Sequence, residues 1–240
     1  MCGISGIVTL SAQTRISEPD VRRMLPALRH RGPDGSGVYL DPTGRIGLGH
    51  TRLSIIDLEG GAQPMANEDR TVWVSFNGEI FNYIELREIL LKAGHRFSTH
   101  SDTEVIVHAY EQYGDDFVQH LNGQFAIALW DAHRQRLLLV RDRVGILPLF
   151  YTRQGERLLF ASEIKSILTY PGLQPELDAS GIAEIFLLGP GRTPGCGVLR
   201  GIYEVEPGCC GYFENGKLRI KQYWKLLDRE HRENFEETVE

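Results

Sequence analysis

The second residue of the chain is a cysteine, and it becomes the N-terminal residue once the initiator Met1 is removed. An N-terminal cysteine carries a thiol nucleophile together with an α-amine that can act as its base, because the amine has a pKa of about 7.7 to 8.0. No second side chain is then needed to activate the sulfur. Since cysteines are also often buried, a structural role at the head of a strand is the alternative for Cys2.

The pair Asn77-Gly78 could stabilise negative charge on an oxygen atom. It follows a strand pattern at residues 72–76. Asn-Gly is a strong hairpin signal, but the apolar spacing after it indicates a helix capped by Asn82 instead of a second strand. A side-chain amide beside the unobstructed N–H of a glycine supplies the donors that an oxyanion hole requires. The residues alone leave both interpretations open.

Two charged residues could bind a polar ligand. Arg52 lies against an apolar stretch, where it either pairs with a buried acid or holds a ligand carboxylate in a two-pronged contact. Buried charges are usually paired, which favours the ion pair. Asp102 belongs to Ser101-Asp102-Thr103-Glu104, a segment typical of a capping box at a helix start. The helix dipole alone would account for its charge there.

Composition excludes several classes of function. The 240 residues carry a formal net charge of −6 with both signs interleaved, so no surface for nucleic acid is expected. No apolar run approaches the roughly 20 residues of a membrane helix and no signal segment precedes the first strand, which predicts a cytoplasmic protein without membrane contact. The histidines lack the i, i+4 spacing of a metal-binding helix and the cysteines match no zinc pattern, so no metal site is predicted. Cys196, Cys209 and Cys210 are interpreted as apolar fillers.

The apolar pattern also predicts the elements that must position these residues. Residues 137–140 are apolar at every position, which indicates a strand covered on both faces and favours stacked sheets with helices outside. The apolar spacing at residues 18–28 predicts one continuous helix. Further strands are predicted at 4–10, 37–40, 45–50, 125–130, 149–151, 158–161 and within 202–223. Further helices are predicted after Asn82, after Ser101, after Ser162 as an N-cap, and from Asp178 to about Leu188.

Seven short segments stand out as a set: Met1-Cys2-Gly3-Ile4, His30-Arg31-Gly32-Pro33-Asp34, Arg52-Leu53-Ser54-Ile55-Ile56-Asp57, Gln63-Pro64-Met65, Phe76-Asn77-Gly78-Glu79-Ile80-Phe81-Asn82-Tyr83, Ser101-Asp102-Thr103-Glu104 and Phe160-Ala161-Ser162-Glu163-Ile164-Lys165. In this order they resemble the class II glutamine amidotransferases, and specifically the glutaminase domain of asparagine synthetases. The resemblance runs from the first residue to about residue 225.

The resemblance implies an α+β fold of the N-terminal-nucleophile hydrolases, a four-layer αββα sandwich of two mainly antiparallel sheets. It implies L-glutamine as the substrate, whose side-chain amide is hydrolysed through a thioester. Carried over position by position, it also implies a set of site residues: Cys2 as nucleophile, Asn77 and Gly78 as oxyanion hole, Arg52 and Asp102 as partners of the substrate α-carboxylate and α-ammonium, and Glu79 at the border of the pocket.

The resemblance further implies a domain organisation. Residues 1–224 would form the glutaminase domain, and residues 225–240 a charged linker toward a C-terminal synthetase domain whose Ser-Gly-Gly-x-Asp-Ser loop does not occur in this sequence. ATP and Mg²⁺ would act in that missing domain, and no cofactor is expected in this one. A homodimer stays open. Leu147 departs from the family, since many relatives carry Lys there, and is expected to lie outside the pocket.

Three other interpretations compete with this one. The chain could be the glutaminase domain of an amidotransferase with another acceptor, such as a sugar, a peptide or an antibiotic precursor. It could be a catalytically silent scaffold that keeps the fold, or an N-terminal-nucleophile hydrolase for a different amide. The acceptor is chosen by a domain that this sequence does not contain.

Overall fold

The structure is a computed structural model that describes residues 1–9, 11, 13–187 and 193–228. Its described residues contain two six-stranded sheets with antiparallel pairing between neighbours. The strands, in chain order, are β1 (Gly3–Thr9), β2 (Gly35–Leu40), β3 (Ile46–Arg52), β4 (Met65–Ala66), β5 (Val72–Ile80), β6 (Gly123–Asp131), β7 (Arg136–Arg141), β8 (Phe150–Gln154), β9 (Arg157–Ala161), β10 (Ile202–Glu204), β11 (Cys209–Glu214) and β12 (Lys217–Gln222).

The strand order brings the predicted site residues to neighbouring positions. The first sheet has the order β10-β8-β9-β1-β3-β2, and the second β12-β11-β7-β6-β5-β4. Gly3 at the start of β1 lies opposite Thr51 in β3, so Cys2 lies close to the end of the strand that carries Arg52. β5 is paired with β6 over its whole length, whereas on its other side β4 pairs only with Trp73 and Val74.

Helices cover the outer faces of both sheets. The described helices are α1 (Glu18–Arg22), α2 (Tyr83–Lys92), α3 (Asp102–Tyr113), α4 (Phe117–His120), α5 (Ile164–Leu168) and α6 (Ala179–Leu187), with 3-10 turns at Pro26–Leu28 and Gly114–Asp116. α1 and α5 pack on the first sheet, and α2 and α3 on the second. The predicted four-layer αββα sandwich is confirmed. No described helix is both long enough and apolar enough to cross a membrane.

Alternate residues of the central strands divide between two cores. Phe125, Ile127 and Leu129 of β6 pack against α2 and α3, while Ala126 and Ala128 face the other sheet. β7 divides in the same way, which confirms the strand that the sequence predicts to be covered on both faces. Because Ala126 and Ala128 have small side chains, the first sheet can lie close to β6 at these two positions.

The helix predicted over residues 18–28 is interrupted. α1 ends at Arg22, and the 3-10 turn at Pro26–Leu28 follows it. Pro26 has no N–H to donate to the carbonyl of residue 22, and its ring would clash with that carbonyl, so a continuous helix is excluded. The apolar side chains at positions 21, 24, 25 and 28 are nevertheless all buried. The prediction of the buried face was correct and the prediction of one helix was wrong.

Ser162 does not cap α5, contrary to the prediction, because Glu163 holds the N-cap position. The Ser162 hydroxyl instead accepts the N–H of Ile4 at 3.0 Å, and its own N–H donates to the Ile4 carbonyl at 2.9 Å. Ser162 therefore fixes the start of β1 against the end of β9.

The capping box predicted at residues 101–104 forms only in part. Ser101 caps α3 by accepting the N–H of Thr103 at 3.2 Å. Glu104 does not reach back to Ser101, because its carboxylate accepts the N–H and hydroxyl groups of both Ser98 and Thr99 at 2.6 to 2.8 Å. Glu104 thus orders the segment that leads into α3.

The other predicted helix starts are observed with different side-chain contacts. Asn82 holds the N-cap position of α2, but its amide binds backbone groups at 120–122 instead of its own helix. Asp178 precedes α6 and accepts the N–H of Gly181 at 2.9 Å. The predicted end of this helix at Leu188 and most of the predicted linker lie outside the described residues.

The cysteines that follow the site in sequence are free thiols. Cys209 and Cys210 are buried on opposite faces of β11, one in each core, and Cys196 is half-buried. The positions of Cys209 and Cys210 agree with the interpretation as apolar fillers, whereas the Cys196 sulfur accepts the Val198 N–H at 3.4 Å.

A single buried carboxylate organises the turn after β7. Asp142 is fully buried, and its oxygens accept the N–H groups of Phe125, Val144, Ile146 and Leu147 at 2.9 to 3.3 Å. Four backbone amides, two of them buried, therefore depend on one side chain.

We expect Asp142→Ala to lower the free energy of unfolding by about 3 kcal/mol or more, because it leaves the buried N–H groups of Phe125 and Leu147 without an acceptor. Urea denaturation measures the effect. Asp142→Asn, which keeps one acceptor, should fall between that variant and wild type, and Asp228→Ala at an exposed position should change nothing. Equal stability of Asp142→Ala and Asp228→Ala would contradict the assignment.

Candidate active site

One pocket contains all six residues that the sequence predicts for the site. It lies where the residue before β1, the end of β3, the second half of β5 and the first turn of α3 meet. Its empty volume is about 570 Å³ when the open solvent at its mouth is included. The six residues are Cys2, Arg52, Asn77, Gly78, Glu79 and Asp102. Lining residues that sequence reasoning did not place there are Leu53, Gln63, Thr103, Gln124 and Leu147.

The expectation that Leu147 lies outside the pocket was wrong. Leu147 is 1% exposed and contributes to the pocket wall. Its backbone is held there by Asp142, which accepts the Leu147 N–H at 3.1 Å. The turn after β7 therefore brings an apolar side chain to a place where a lysine would introduce charge.

The Cys2 sulfur lies against the backbone of Leu53. Its Sγ accepts the Leu53 N–H at 3.4 Å and is 3.6 Å from the Leu53 carbonyl oxygen. Burial raises the pKa of the Cys2 thiol above its ordinary value, against the opposing effects of the Leu53 N–H, the N-terminal ammonium and Arg52. The sulfur is consequently a neutral thiol that needs a base before it can attack.

The backbone around Cys2 is fixed by a buried arginine. Arg31 Nε donates to the Cys2 carbonyl at 2.8 Å, and its Nη1 donates to Glu163 at 3.0 Å. A side chain at Gly3 would place its Cβ 2.6 Å from Thr51 Oγ1, so only glycine allows β1 to lie this close to β3. Arg31 and Glu163 occur in the segments that carry the family resemblance, but no role was assigned to them from the sequence.

The outer edge of β5 presents a row of backbone amides. In an antiparallel ladder, alternate residues turn their N–H groups toward the partner strand and away from it. The N–H of Phe81 donates to β6-side residue Asn122 at 2.7 Å, so the amides at positions 76, 78 and 80 face away from β6. The Phe76 N–H donates to Gln63 Oε1 at 2.7 Å, and the Ile80 N–H donates to Asp102 at 3.1 Å. Between these two bonded amides, Gly78 lines the pocket.

Glycine is required at position 78. Its φ is +154°, and an added Cβ would lie 2.1 Å from the carbonyl oxygen of Gln124 and 2.8 Å from Phe125 Cα. Any side chain would push β5 and β6 apart at the point where the free amide is presented. The hairpin interpretation of Asn77-Gly78 is excluded, since both residues lie inside β5.

The Asn77 side chain is buried without a partner. It is 0% exposed, and among the described residues neither Oδ1 nor Nδ2 has a hydrogen-bond partner. Leaving such a group unsatisfied typically costs about 1 to 3 kcal/mol. A buried, unpaired amide in a pocket wall beside a free backbone N–H indicates a place where a ligand oxygen binds.

Two hydrogen bonds connect the sheets behind this point. His50 Nε2 donates to the Phe76 carbonyl at 3.1 Å, and Ser75 Oγ donates to the Gly49 carbonyl at 3.1 Å. Burial lowers the pKa of His50 to about 4, so the ring is neutral at physiological pH. The end of β3 and the middle of β5 are thereby held at a fixed separation.

Asp102 is a buried carboxylate at the start of α3. It is 5% exposed, and its Oδ2 accepts the Ile80 N–H. Burial raises its pKa to about 6, and the nearby charge of Glu79 adds to the rise, against the lowering effect of the Ile80 N–H. Its position at a helix start agrees with the dipole interpretation, yet its side chain also faces the pocket.

Arg52 is held by backbone carbonyls, which neither sequence interpretation anticipates. Its Nη1 donates to Leu58 at 3.0 Å, and its Nη2 donates to Ile56 at 3.4 Å and Asp57 at 2.5 Å. Neutral carbonyls orient the guanidinium, and among the described residues no carboxylate forms an ion pair with it. A cation fixed in this way is suited to a ligand carboxylate.

Comparison with known proteins agrees with this geometry. A family model described as a glutamine amidotransferase domain matches residues 1–224. The chain belongs to the class II glutamine amidotransferases. Over its whole length this amidotransferase domain is 43% identical to asparagine synthetase [glutamine-hydrolyzing] 3 of Bacillus subtilis (strain 168) and 36% identical to asparagine synthetase [glutamine-hydrolyzing] 2 of the same organism.

The glutamine amidotransferase domain spans well under half the length of these relatives, since it covers 39% of the first and 32% of the second. A solved structure of the glutamine phosphoribosylpyrophosphate amidotransferase of B. subtilis, complexed with ADP and GMP, superposes with a TM-score of 0.69. That match covers 95% of this chain and 50% of the other at 20% identity, and it shows that the two share the fold.

Asp102 generates a pH-dependent prediction. Its folded pKa of about 6 lies above its ordinary value, so between about pH 4 and 6 the folded chain binds more protons than the unfolded chain, and stability falls as the pH rises. Asp102→Asn removes this loss. We expect the variant to gain stability relative to wild type, by about 3 kcal/mol between pH 4 and 7.

Urea denaturation across this pH range measures the difference. Asp228→Asn, the same change at an exposed position, is the control and should show no trend. A difference between Asp102→Asn and wild type that stays constant with pH would show that Asp102 is not a buried, destabilised carboxylate.

Proposed function

We propose that this domain hydrolyses L-glutamine to glutamate and ammonia through a thioester on Cys2. The observation that carries the proposal is the buried, unpaired amide of Asn77, next to the edge amide of Gly78, in the pocket that holds the Cys2 sulfur. A nucleophile and two oxygen-binding donors in one pocket are the requirements of acyl transfer. The family membership supports glutamine as the amide.

The nucleophile is activated by its own backbone nitrogen after Met1 is removed. The thiol is neutral because of burial, and the sulfur's hydrogen-bond contact is a backbone amide rather than a histidine or carboxylate. The free α-amine of Cys2 takes the thiol proton, and the thiolate then attacks the side-chain carbonyl carbon of glutamine. Arg31 holds the Cys2 carbonyl, and the Leu53 N–H contacts the sulfur, so both the backbone and the thiol of Cys2 are held in place.

The carbonyl oxygen becomes an oxyanion as the carbon–sulfur bond forms. Asn77 Nδ2 and the Gly78 N–H donate to it, and the tetrahedral intermediate collapses with release of ammonia, to which the α-ammonium returns the proton. Water, deprotonated by the same amine, then hydrolyses the thioester to glutamate and free thiol. Both donors are held before substrate arrives, so they stabilise the charge without rearrangement.

The head group of glutamine is recognised by one fixed cation and one fixed anion. Arg52, oriented by carbonyls, binds the α-carboxylate, and Asp102 binds the α-ammonium. With a pKa of about 6, Asp102 is ionised at neutral pH, and an ammonium partner would stabilise that form further. Glu79 adds negative potential at the same end of the pocket.

We further propose that the domain is the nitrogen-donating half of an asparagine synthetase. The relatives that match its whole length carry that name and are more than twice as long. In the full-length protein, a synthetase half would use ATP and Mg²⁺ to activate aspartate and would receive the ammonia. A different acceptor would leave every step in this pocket unchanged.

The first prediction concerns the nucleophile. Cys2→Ser, or one additional residue left in front of Cys2, should reduce ammonia release to background, because the first removes the thiol and the second removes the free amine. Cys196→Ser is the matched control and should keep wild-type activity. Intact mass spectrometry reports the state of Met1 in each sample. Equal background release from wild type and Cys2→Ser would favour a silent scaffold.

Steady-state kinetics distinguish Asn77, which stabilises the transition state, from Arg52, which binds the head group of the substrate. Asn77→Ala should lower kcat about 10²- to 10³-fold, because it removes a donor that acts in the transition state. Arg52→Ala should chiefly raise KM, by about thirty- to several-thousand-fold, which corresponds to about 2 to 5 kcal/mol for one partner of a desolvated charge. Steady-state ammonia release measures both. An unchanged KM in Arg52→Ala would indicate a substrate without an amino-acid head group.

A further inference from the structure

Behind the active-site pocket, three potential metal ligands converge on the far side of α3. His108 and Glu111 lie on α3, and His95 lies just after α2. One donor atom of each residue lies within 4.8 Å of the other two. Glu111 Oε2 is 2.8 Å from His108 Nδ1 and 3.6 Å from His95 Nδ1. These distances lie on either side of the ligand-to-ligand separation of about 3.3 Å expected for a tetrahedral ion with bonds of 2.0 to 2.1 Å.

Each of the three donors is oriented by a second residue. His95 Nε2 is 3.1 Å from Gln112 Oε1, an atom that can only accept, so Nε2 carries the proton and Nδ1 presents a lone pair to the cluster. Asn67 Nδ2 donates to Glu111 Oε1 at 2.6 Å and leaves Oε2 for the cluster. Outer contacts of this kind are typical of metal-binding histidines and carboxylates.

His108 supplies an independent indication that this cluster binds a metal ion. Its side chain is 0% exposed, and its Nε2 has no hydrogen-bond partner among the described residues. Glu104 Oε1 lies 3.8 Å from that nitrogen, close enough to accept its proton after a small shift. A carboxylate behind a histidine whose other nitrogen faces a cluster of ligands is a recurrent metal-site arrangement.

We propose that His95, His108 and Glu111 bind one divalent transition-metal ion, with zinc as the preferred ion. Two imidazoles and one carboxylate suit zinc, whereas magnesium and calcium prefer oxygen ligands. Glu68 Oε2 is 3.9 Å from His108 Nδ1, and Glu68 or water supplies the fourth ligand. The ion joins α3 to the segment after α2, and thereby fixes the helix whose first residue is Asp102.

The sequence predicts no metal site because it offers no pair of histidines at i, i+4. Only the pair His108 and Glu111 is local, at i, i+3, and His95 joins it through the packing of α2 on α3. In the absence of metal a proton takes the ion's place. Burial would lower the pKa of His108, but the carboxylates of Glu104 and Glu111 outweigh it and raise the pKa to about 9. The alternative to metal binding is therefore a purely ionic cluster around a charged His108.

Cobalt titration of the tag-free, chelator-treated chain distinguishes the two arrangements. We expect one equivalent of Co²⁺ to give the visible absorption of a tetrahedral ion with nitrogen and oxygen ligands, and Zn²⁺ to displace it. Zn²⁺ at about 100 times its Kd should raise the Tm by about 5 °C or more, and Mg²⁺ should not. Glutamine turnover is not part of this readout, so the result is independent of the proposed reaction.

Matched variants locate the ion. His95→Gln and Glu111→Gln should each weaken Co²⁺ binding at least tenfold, while His133→Gln, the same change at an exposed histidine, should have no effect. Glu111 is exposed and His95 is half-buried, so neither change removes a core side chain, and either variant decides the question if the other fails to fold. Absence of stoichiometric binding, a thiolate-type cobalt spectrum, or unchanged affinity in His95→Gln would each overturn the proposal.

Discussion

The uncovered outer edge of β5 is the constraint on which the site depends. Because β4 is only two residues long, the amides beyond it have no strand to bind. Gln63 and Asp102 satisfy the first and the third of them, and the middle amide, at Gly78, opens into the pocket. A register shift of one residue between β5 and β6 would turn these amides inward and replace them with the odd-numbered ones. The chemistry of the pocket is therefore set by strand pairing as much as by side chains.

The site also depends on how closely the two sheets stack. Cys2 directly precedes β1 and Arg52 ends β3 in the first sheet, whereas Asn77 and Gly78 belong to β5 in the second. The alanines on the inner face of β6 and the two hydrogen bonds that start from His50 and Ser75 fix the separation between them. Asp102 comes from a third layer, and its carboxylate is tied to β5 through the Ile80 amide. The pocket is thus assembled from three layers that hydrogen bonds connect.

Much of this arrangement could be predicted from the sequence, and the failures have physical causes. Alternating and continuous apolar patterns report burial, so the strands and the four layers were foreseen. Burial of the apolar side chains does not show whether the backbone between them forms one continuous helix. The break at Pro26 was therefore missed, although the proline is visible in the sequence. The six residues predicted for the site all line one pocket.

Contacts between side chains and backbone atoms could not be predicted from the sequence. The carbonyls that orient Arg52 and the amide of Leu53 beside Cys2 have no identity in the sequence, since any residue supplies them. Leu147 reaches the pocket only because Asp142 folds the turn before it. The cluster around His108 depends on the packing of two helices, which no local spacing encodes.

The position of Met1 has a consequence for how the enzyme matures. The first ladder pair of the chain is Gly3 with Thr51, and Met1 lies ahead of it with 60% of its surface exposed. An aminopeptidase can therefore cut the Met1–Cys2 bond without breaking any strand pairing. Because Met1 itself lines the pocket, the new terminus appears inside a cavity that is already built. Folding can therefore precede excision, because the strand pairing of β1 does not involve Met1.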